Sequence, residues 1–273
     1  MRHSFLVLLL CLGSVSLLKA QTMFTLPFDI ARPHVDVEIH HPATVKGKTN
    51  MSLFEGMYLL RLVYPIDNMI HVGIEQSFGS WNVPAYNGET YSDHVAGNTV
   101  LSGNFFLDDD TATTYQLRTM LALPLFNDGA ERNLLADPWR AYRSINHNFA
   151  VVVEGTGAWY ITPEFYAGAT AGLEFYKYTG DDSVTDDPSG YVTLLVGGGY
   201  EGAKVGAGIA YKMLYYTGQT AGLSPFINAL NLQLMLTNGI RPCLTAEIPL
   251  DANLSNTIPL IFNLRVAIPL GKQ

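Results

Sequence analysis

The sequence predicts an all-β chain whose antiparallel strands, about twelve of them, close into a barrel that crosses a membrane. Apolar residues recur with period two from about residue 34 almost to the end, with no sustained 3.6-residue stripe. The connections between the candidate strands alternate between short and long. The third observation is compositional: 48% of the residues are hydrophobic and only 15% are charged, which excludes a disordered chain.

Taken in order, the first candidate strand covers residues 34 to 41 and the second 52 to 65, where Tyr58 and Tyr64 bracket Leu60 and Leu62. Strands 69 to 78, 98 to 107, 113 to 125 and 147 to 157 follow. In 162 to 177 one face is Phe165, Ala167, Ala169, Ala171, Leu173 and Phe175, uncharged and aromatic near its ends. The other face is Glu164, Tyr166, Gly168, Thr170, Gly172 and Glu174. Strand 190 to 200 comes next, and 203 to 216 then sets Lys204, Gly206, Gly208, Ala210 and Lys212 on one face. In 226 to 237, Leu230, Leu232, Leu234 and Leu236 alternate with polar neighbours, and Asn238-Gly239 then suits a two-residue type I′ turn. The return strand, 240 to 250, separates Leu244, Ala246 and Ile248 from Arg241, Cys243, Thr245 and Glu247. The last, 258 to 270, carries Leu260, Phe262, Leu264, Val266, Ile268 and Leu270 on one purely apolar face.

The connections run to about three, five, four, two and two residues at one end of this array, against about ten, nineteen, twenty-one, twelve, nine and seven at the other. Such asymmetry belongs to transmembrane barrels with short periplasmic turns and long external loops, and an even strand count puts both termini on the short side. A soluble barrel has the same period but would turn a face dense in Lys, Glu and Thr to water. Here the second face holds small residues with one or two charges per strand, which suits a crowded lumen. External loops near 79 to 97 and 126 to 146 are expected to dominate the outer face. The strand ends Tyr64-Pro65-Ile66, Leu123-Pro124-Leu125, Ile248-Pro249-Leu250 and Ile268-Pro269-Leu270 place proline where a ladder finishes.

Residues 1–20 have the form of a cleaved secretory signal: Arg2 and His3, an apolar run from Phe5 to Leu18, then Ala20 before Gln21. The run is shorter than the roughly 20 residues of a membrane-spanning helix, and Cys11 lies inside it rather than closing it as a lipoprotein cysteine would. The expected organisation is therefore a leader over 1–20, a periplasmic segment over 21–33 and a barrel domain over 34–270. Without Cys11 the chain keeps Cys243 alone and forms no internal disulfide. The formal charge of −8 becomes −10 once Arg2 and Lys19 leave, which argues against a nucleic-acid partner.

By this pattern, over residues 34 to 270, the chain resembles the bacterial outer-membrane β-barrel superfamily. A strand opening at Gly97-Asn98 and the apolar-Pro-apolar strand ends are similar to those of the transporter-like outer-membrane barrels that include phenol-degradation pathway proteins. The resemblance implies a Gram-negative outer membrane, with membrane lipid, lipopolysaccharide and the barrel-assembly machinery as partners. The chain departs from the superfamily in ending Ile268-Pro269-Leu270-Gly271-Lys272-Gln273 instead of on an aromatic residue.

No enzyme chemistry is evident. A barrel phospholipase needs a His and a Ser two residues apart on one strand, and no His-x-Ser occurs around His34, His40, His41, His71, His94 or His147. Asp108-Asp109-Asp110 and the run Asp181, Asp182, Asp186 and Asp187 read as solvated turn carboxylates, and His40-His41 as a strand end, so neither a metal nor a cofactor is expected. Function then rests on the inward charges. Those expected to line a channel are Arg61, Arg118, Glu154, Glu164, Glu174, Lys204, Lys212, Arg241, Glu247 and Arg265, with Glu55, His71 and Glu75 on the same face. Acids and bases are nearly balanced, unlike the basic excess that a lumen for acidic sugars would need. Two expectations follow: a narrow passive channel for small polar or weakly amphipathic solutes, or a structural or loop-binding barrel whose paired charges plug the lumen.

Overall fold

The computed structural model describes residues 33–43, 55–84, 90–109, 113–125, 133–134, 136–144, 148–179, 189–217, 225–237 and 241–270. Twelve strands run β1 (His34–Pro42), β2 (Gly56–Pro65), β3 (Ile70–Pro84), β4 (Thr90–Asp109), β5 (Thr113–Leu123), β6 (Asn148–Tyr160), β7 (Phe165–Tyr178), β8 (Ser189–Glu201), β9 (Val205–Tyr216), β10 (Phe226–Leu236), β11 (Cys243–Pro249) and β12 (Ile261–Pro269). Each pairs antiparallel with its sequence neighbours, and β1 pairs with β12 to close the ring. His34 lies opposite Pro269, so the first and last strands bring the two ends of the barrel domain to the same rim.

Closure dictates the residue pattern. Successive side chains point to opposite faces, and the outward set, including Leu60, Leu62, Ile74, Leu101, Leu117, Leu173, Ile209, Leu234 and Leu264, is apolar and exposed. The inward set includes buried Asp36, Glu38, Arg61, Glu75, Arg118, Glu174, Lys212 and Glu247. This inversion of the usual globular arrangement is what a lipid-facing wall around a polar interior requires. Proline closes β1, β2, β3, β11 and β12, where no further ladder hydrogen bond is needed.

The loop expected over residues 79 to 97 is instead mostly hairpin. β3 and β4 stay paired as far as Pro84 opposite Thr90, past a register shift between Gln76 and Phe78. Alternation blurs at such a bulge, because one strand carries an extra residue. Of the loop expected over 126 to 146, the described part turns inward instead of onto an outer face: Asn133, Ala136, Asp137, Trp139, Ala141, Tyr142, Arg143 and Ser144 are buried. A 3-10 turn, Ala141–Arg143, shapes its described end. Between β11 and β12 a four-residue helix, α1 (Ala252–Ser255), is capped by the Asp251 carboxylate, which accepts from the Leu254 N–H at 2.8 Å. The leader, the Asn238-Gly239 turn and the acidic run at 181 to 187 lie outside the described residues.

Candidate functional site: the barrel interior

On β1 the residues His34, Asp36, Glu38 and His40 are buried, while Val35, Val37, Ile39 and His41 between them are only partly so. Register places Arg61 of β2 beside Asp36, Glu75 of β3 beside Arg61, and Arg265 of β12 beside Glu38. The side chains then interlock. Arg61 donates through Nε to Glu75 Oε2 at 2.8 Å, and Arg265 donates through Nη2 to Asp36 Oδ2 at 2.7 Å. His40 Nε2 lies 3.1 Å from Glu38 Oε2. One side of the bore is thus a sheet of alternating carboxylates and guanidinium groups, each meeting the charge it needs once water is removed.

Residues 133–134 and 136–144 fold onto this wall as a strap. Arg143, fully buried, donates through Nη2 to Glu75 Oε2 at 3.0 Å and through Nη1 to Asp137 Oδ2 at 2.8 Å. Arg140 Nη1 lies 3.5 Å from Glu38 Oε2. Asn98 donates to the Tyr142 carbonyl at 2.8 Å, Ser77 to the Arg143 carbonyl at 3.3 Å, and Trp81 to Asn133 Oδ1 at 3.0 Å. Two glycines make the approach possible: a Cβ on Gly97 would overlap the Arg143 carbonyl, and one on Gly79 would overlap Asn133 Oδ1. Burial opposes the charge on Asp137, yet Arg140, His40 and Arg143 hold its carboxyl below the usual carboxylate range. Burial, opposed in part by Arg143, pushes the Tyr142 phenol up to about 12.

The same segment reaches the opposite wall. Trp139 packs against Leu214 of β9 and Ala229 of β10, and Lys212 Nζ of β9 sits 4.9 Å from the centre of its ring. In a ring of twelve strands β3 and β9 are diametrically opposed, so a strap anchored by Arg143 on Glu75 and by Trp139 on Leu214 crosses the full bore. Around it the wall of β7 to β9 is phenolic. Tyr176 and Tyr191 meet edge to face with centroids 5.4 Å apart, Tyr191 and Tyr216 are 5.0 Å apart, and the Tyr176 hydroxyl donates to Glu174.

The predicted channel residues divide. Arg61, Arg118, Glu174, Lys212 and Glu247 are buried in the interior, and Glu154 and Arg265 are partly so. Arg118 Nη1 lies 3.7 Å from Glu154 and Lys212 Nζ 3.9 Å from Glu247. Glu164 and Lys204 do not line the interior. They lie exposed in the connections 161–164 and 202–204, because β7 and β9 begin only at Phe165 and Val205. Arg241, expected within a strand, precedes β11 in the connection 237–242 with φ of 46°. His40, read as a strand end, does lie two residues from the end of β1, with its side chain buried.

Sequence reasoning passed over Asp36, Glu38, Asp137, Trp139, Arg140 and Arg143. The first two were available from alternation with Val35 and Val37. The others sit in Trp139-Arg140-Ala141-Tyr142-Arg143, a stretch too aromatic for a solvated loop.

No protein-family model matches the sequence, and no curated protein matches it either. Solved structures do. The outer membrane channel COG4313 from Pseudomonas putida F1 superposes with a TM-score of 0.60 at 13% identity, over 91% of this chain and 99% of that one. By fold, this chain is a closed twelve-stranded antiparallel β-barrel of the kind found in outer-membrane channels. The NanC porin gives a TM-score of 0.54 at 9% identity over 87% of this barrel and 100% of the porin, and the KdgM porin 0.51 at 10% over 87% and 99%.

Proposed function

We propose that this outer-membrane barrel is exported by its first twenty residues, assembled among lipid and lipopolysaccharide, and acts as a narrow passive channel for small polar solutes. The observation that carries the reading is an interior walled by buried charged side chains and crossed by a strap of residues 133–134 and 136–144. A barrel built only as a scaffold gains nothing from so many buried charges, since apolar packing of the same volume is often as stable. The strap narrows the path, and balanced acids and bases on the wall leave it without strong preference for either sign of ion. The resemblance to channel and porin structures supports the same reading.

The test is single-channel recording of the refolded protein in a planar bilayer, with the reversal potential taken in a salt gradient. Small discrete steps and a reversal potential near zero are expected. The bridging of the bore also favours a second reading, a barrel shut at rest whose connections bind a partner. Silence from a folded barrel, with steps appearing only when the strap is released by Arg143→Ala, would select that reading.

A further inference from the structure

Resting on the channel reading, we infer that Trp139, Lys212, Asn231 and Glu247 form a subsite for an uncharged, hydroxyl-rich solute of the size of a sugar or polyol. Asn231 is paired with Glu247 across β10 and β11, and it follows by two residues Ala229, against which Trp139 packs. Lys212 is paired with Ala229 across β9 and β10. All four side chains are at least nine-tenths buried, with exposures of 1% for Trp139, 8% for Lys212, 8% for Asn231 and 7% for Glu247. Three of their polar atoms are nevertheless unmet: Trp139 Nε1, Asn231 Oδ1 and Glu247 Oε2 have no hydrogen-bond partner. Buried polar atoms are rarely left so, because each forfeits the hydrogen bonds that water supplied.

The geometry says what would meet them. Lys212 Nζ and Glu247 Oε2 are 3.9 Å apart, beyond a direct hydrogen bond and suited to an oxygen that accepts from one and donates to the other. A hydroxyl is both donor and acceptor, and it could equally accept from the indole N–H or donate to the amide oxygen. One ammonium and one carboxylate cancel, so neither an anion nor a cation is favoured, and a zwitterion would have to separate the pair to use it. Lys212 and Glu247 each keep about a tenth of their side chains accessible.

The experiment titrates the intrinsic tryptophan emission of the refolded full-length barrel with glucose, sorbitol, glycine and gluconate. Folding of every variant is checked by heat-modifiable migration. Glucose and sorbitol should change the emission saturably, glycine and gluconate should not at the same concentration, and Trp139→Phe should remove the response. Asn231→Leu, which deletes one partner, should raise the half-saturating concentration of glucose about tenfold. No saturable response to glucose or sorbitol, or an equal response to glycine or gluconate, would overturn the subsite. Bilayer recordings separate the two ideas: glucose binding by a silent barrel overturns only the channel, and conductance without glucose binding overturns only the subsite.

Discussion

The two sides of the bore differ in how their polar groups are met. On the β12–β1–β2–β3 side, guanidinium groups and carboxylates interlock, with Arg61 between Glu75 and Asp36 and Arg143 between Glu75 and Asp137. On the β9–β11 side, Lys212 and Glu247 stand 3.9 Å apart, and Asn231 keeps an unmet oxygen. The strap touches both sides, yet the hydrogen bonds described for it go to β1, β3, β4 and β5, and at β9 and β10 it rests by packing and by Lys212 over the Trp139 ring. Hydrogen-bonded ion pairs fix a segment in place. Unsaturated groups leave a position that a solute can take.

The contrast is most open to attack at Glu75. Glu75→Ala leaves Arg61 and Arg143 buried without their shared carboxylate, and breaking such a pair costs about 3–5 kcal/mol. The urea midpoint in lipid vesicles should fall and the strap should become sensitive to added protease. A midpoint equal to that of the parent protein would mean that the two sides do not differ in strength.

A smaller effect is expected from Gly97→Ala, which puts a methyl group where the Arg143 carbonyl now sits. Overpacking of this kind costs about 1–3 kcal/mol, and displacing the strap should raise single-channel conductance. Unchanged conductance would show that the strap does not govern the bore.

Acid sharpens the comparison through Asp137. Its carboxyl is held below the ordinary value of about 3.9 by Arg140, His40 and Arg143 against the effect of burial. A depressed carboxyl contributes stability that is present above about pH 4 and is lost as pH falls through its folded value. Strap docking, read as protease resistance, should therefore be flat from about pH 5 to 8 and weaken below about pH 4. Asp137→Asn should flatten that acid limb, and persistence of the full limb would assign it to another carboxylate.

The smallest change is expected on the loose side. Asn231→Leu removes an amide oxygen that has no partner, so stability should stay within about 0.5 kcal/mol of the parent protein by urea unfolding. A loss of several times that size would show that Asn231 is structurally engaged, erasing the difference between the walls.

Much of the barrel was legible because side chains alternate strictly along a strand: Leu60, Leu62 and Leu264 could only face one way once Arg61 and Arg265 faced the other. Strand edges were less legible. Glu164 and Lys204 continue the period of β7 and β9 but fall in turns, since alternation does not record where pairing begins. The extension of β3 and β4 was hidden by the irregular register between Gln76 and Phe78.

The sequence by itself determined the closed, lipid-facing β architecture and the balance of charge inside it, because both follow from a local period of two and from composition. Only the tertiary structure decided that residues 136–144 turn inward and that Arg143 meets Glu75 across 68 positions of chain. The same holds for Asp36, drawn into one network with Arg61 of the neighbouring β2 and, across the ring closure, Arg265 of β12. Those contacts depend on ring closure, which brings β1 to β12 and sets β3 opposite β9. No local pattern encodes a distance across a bore.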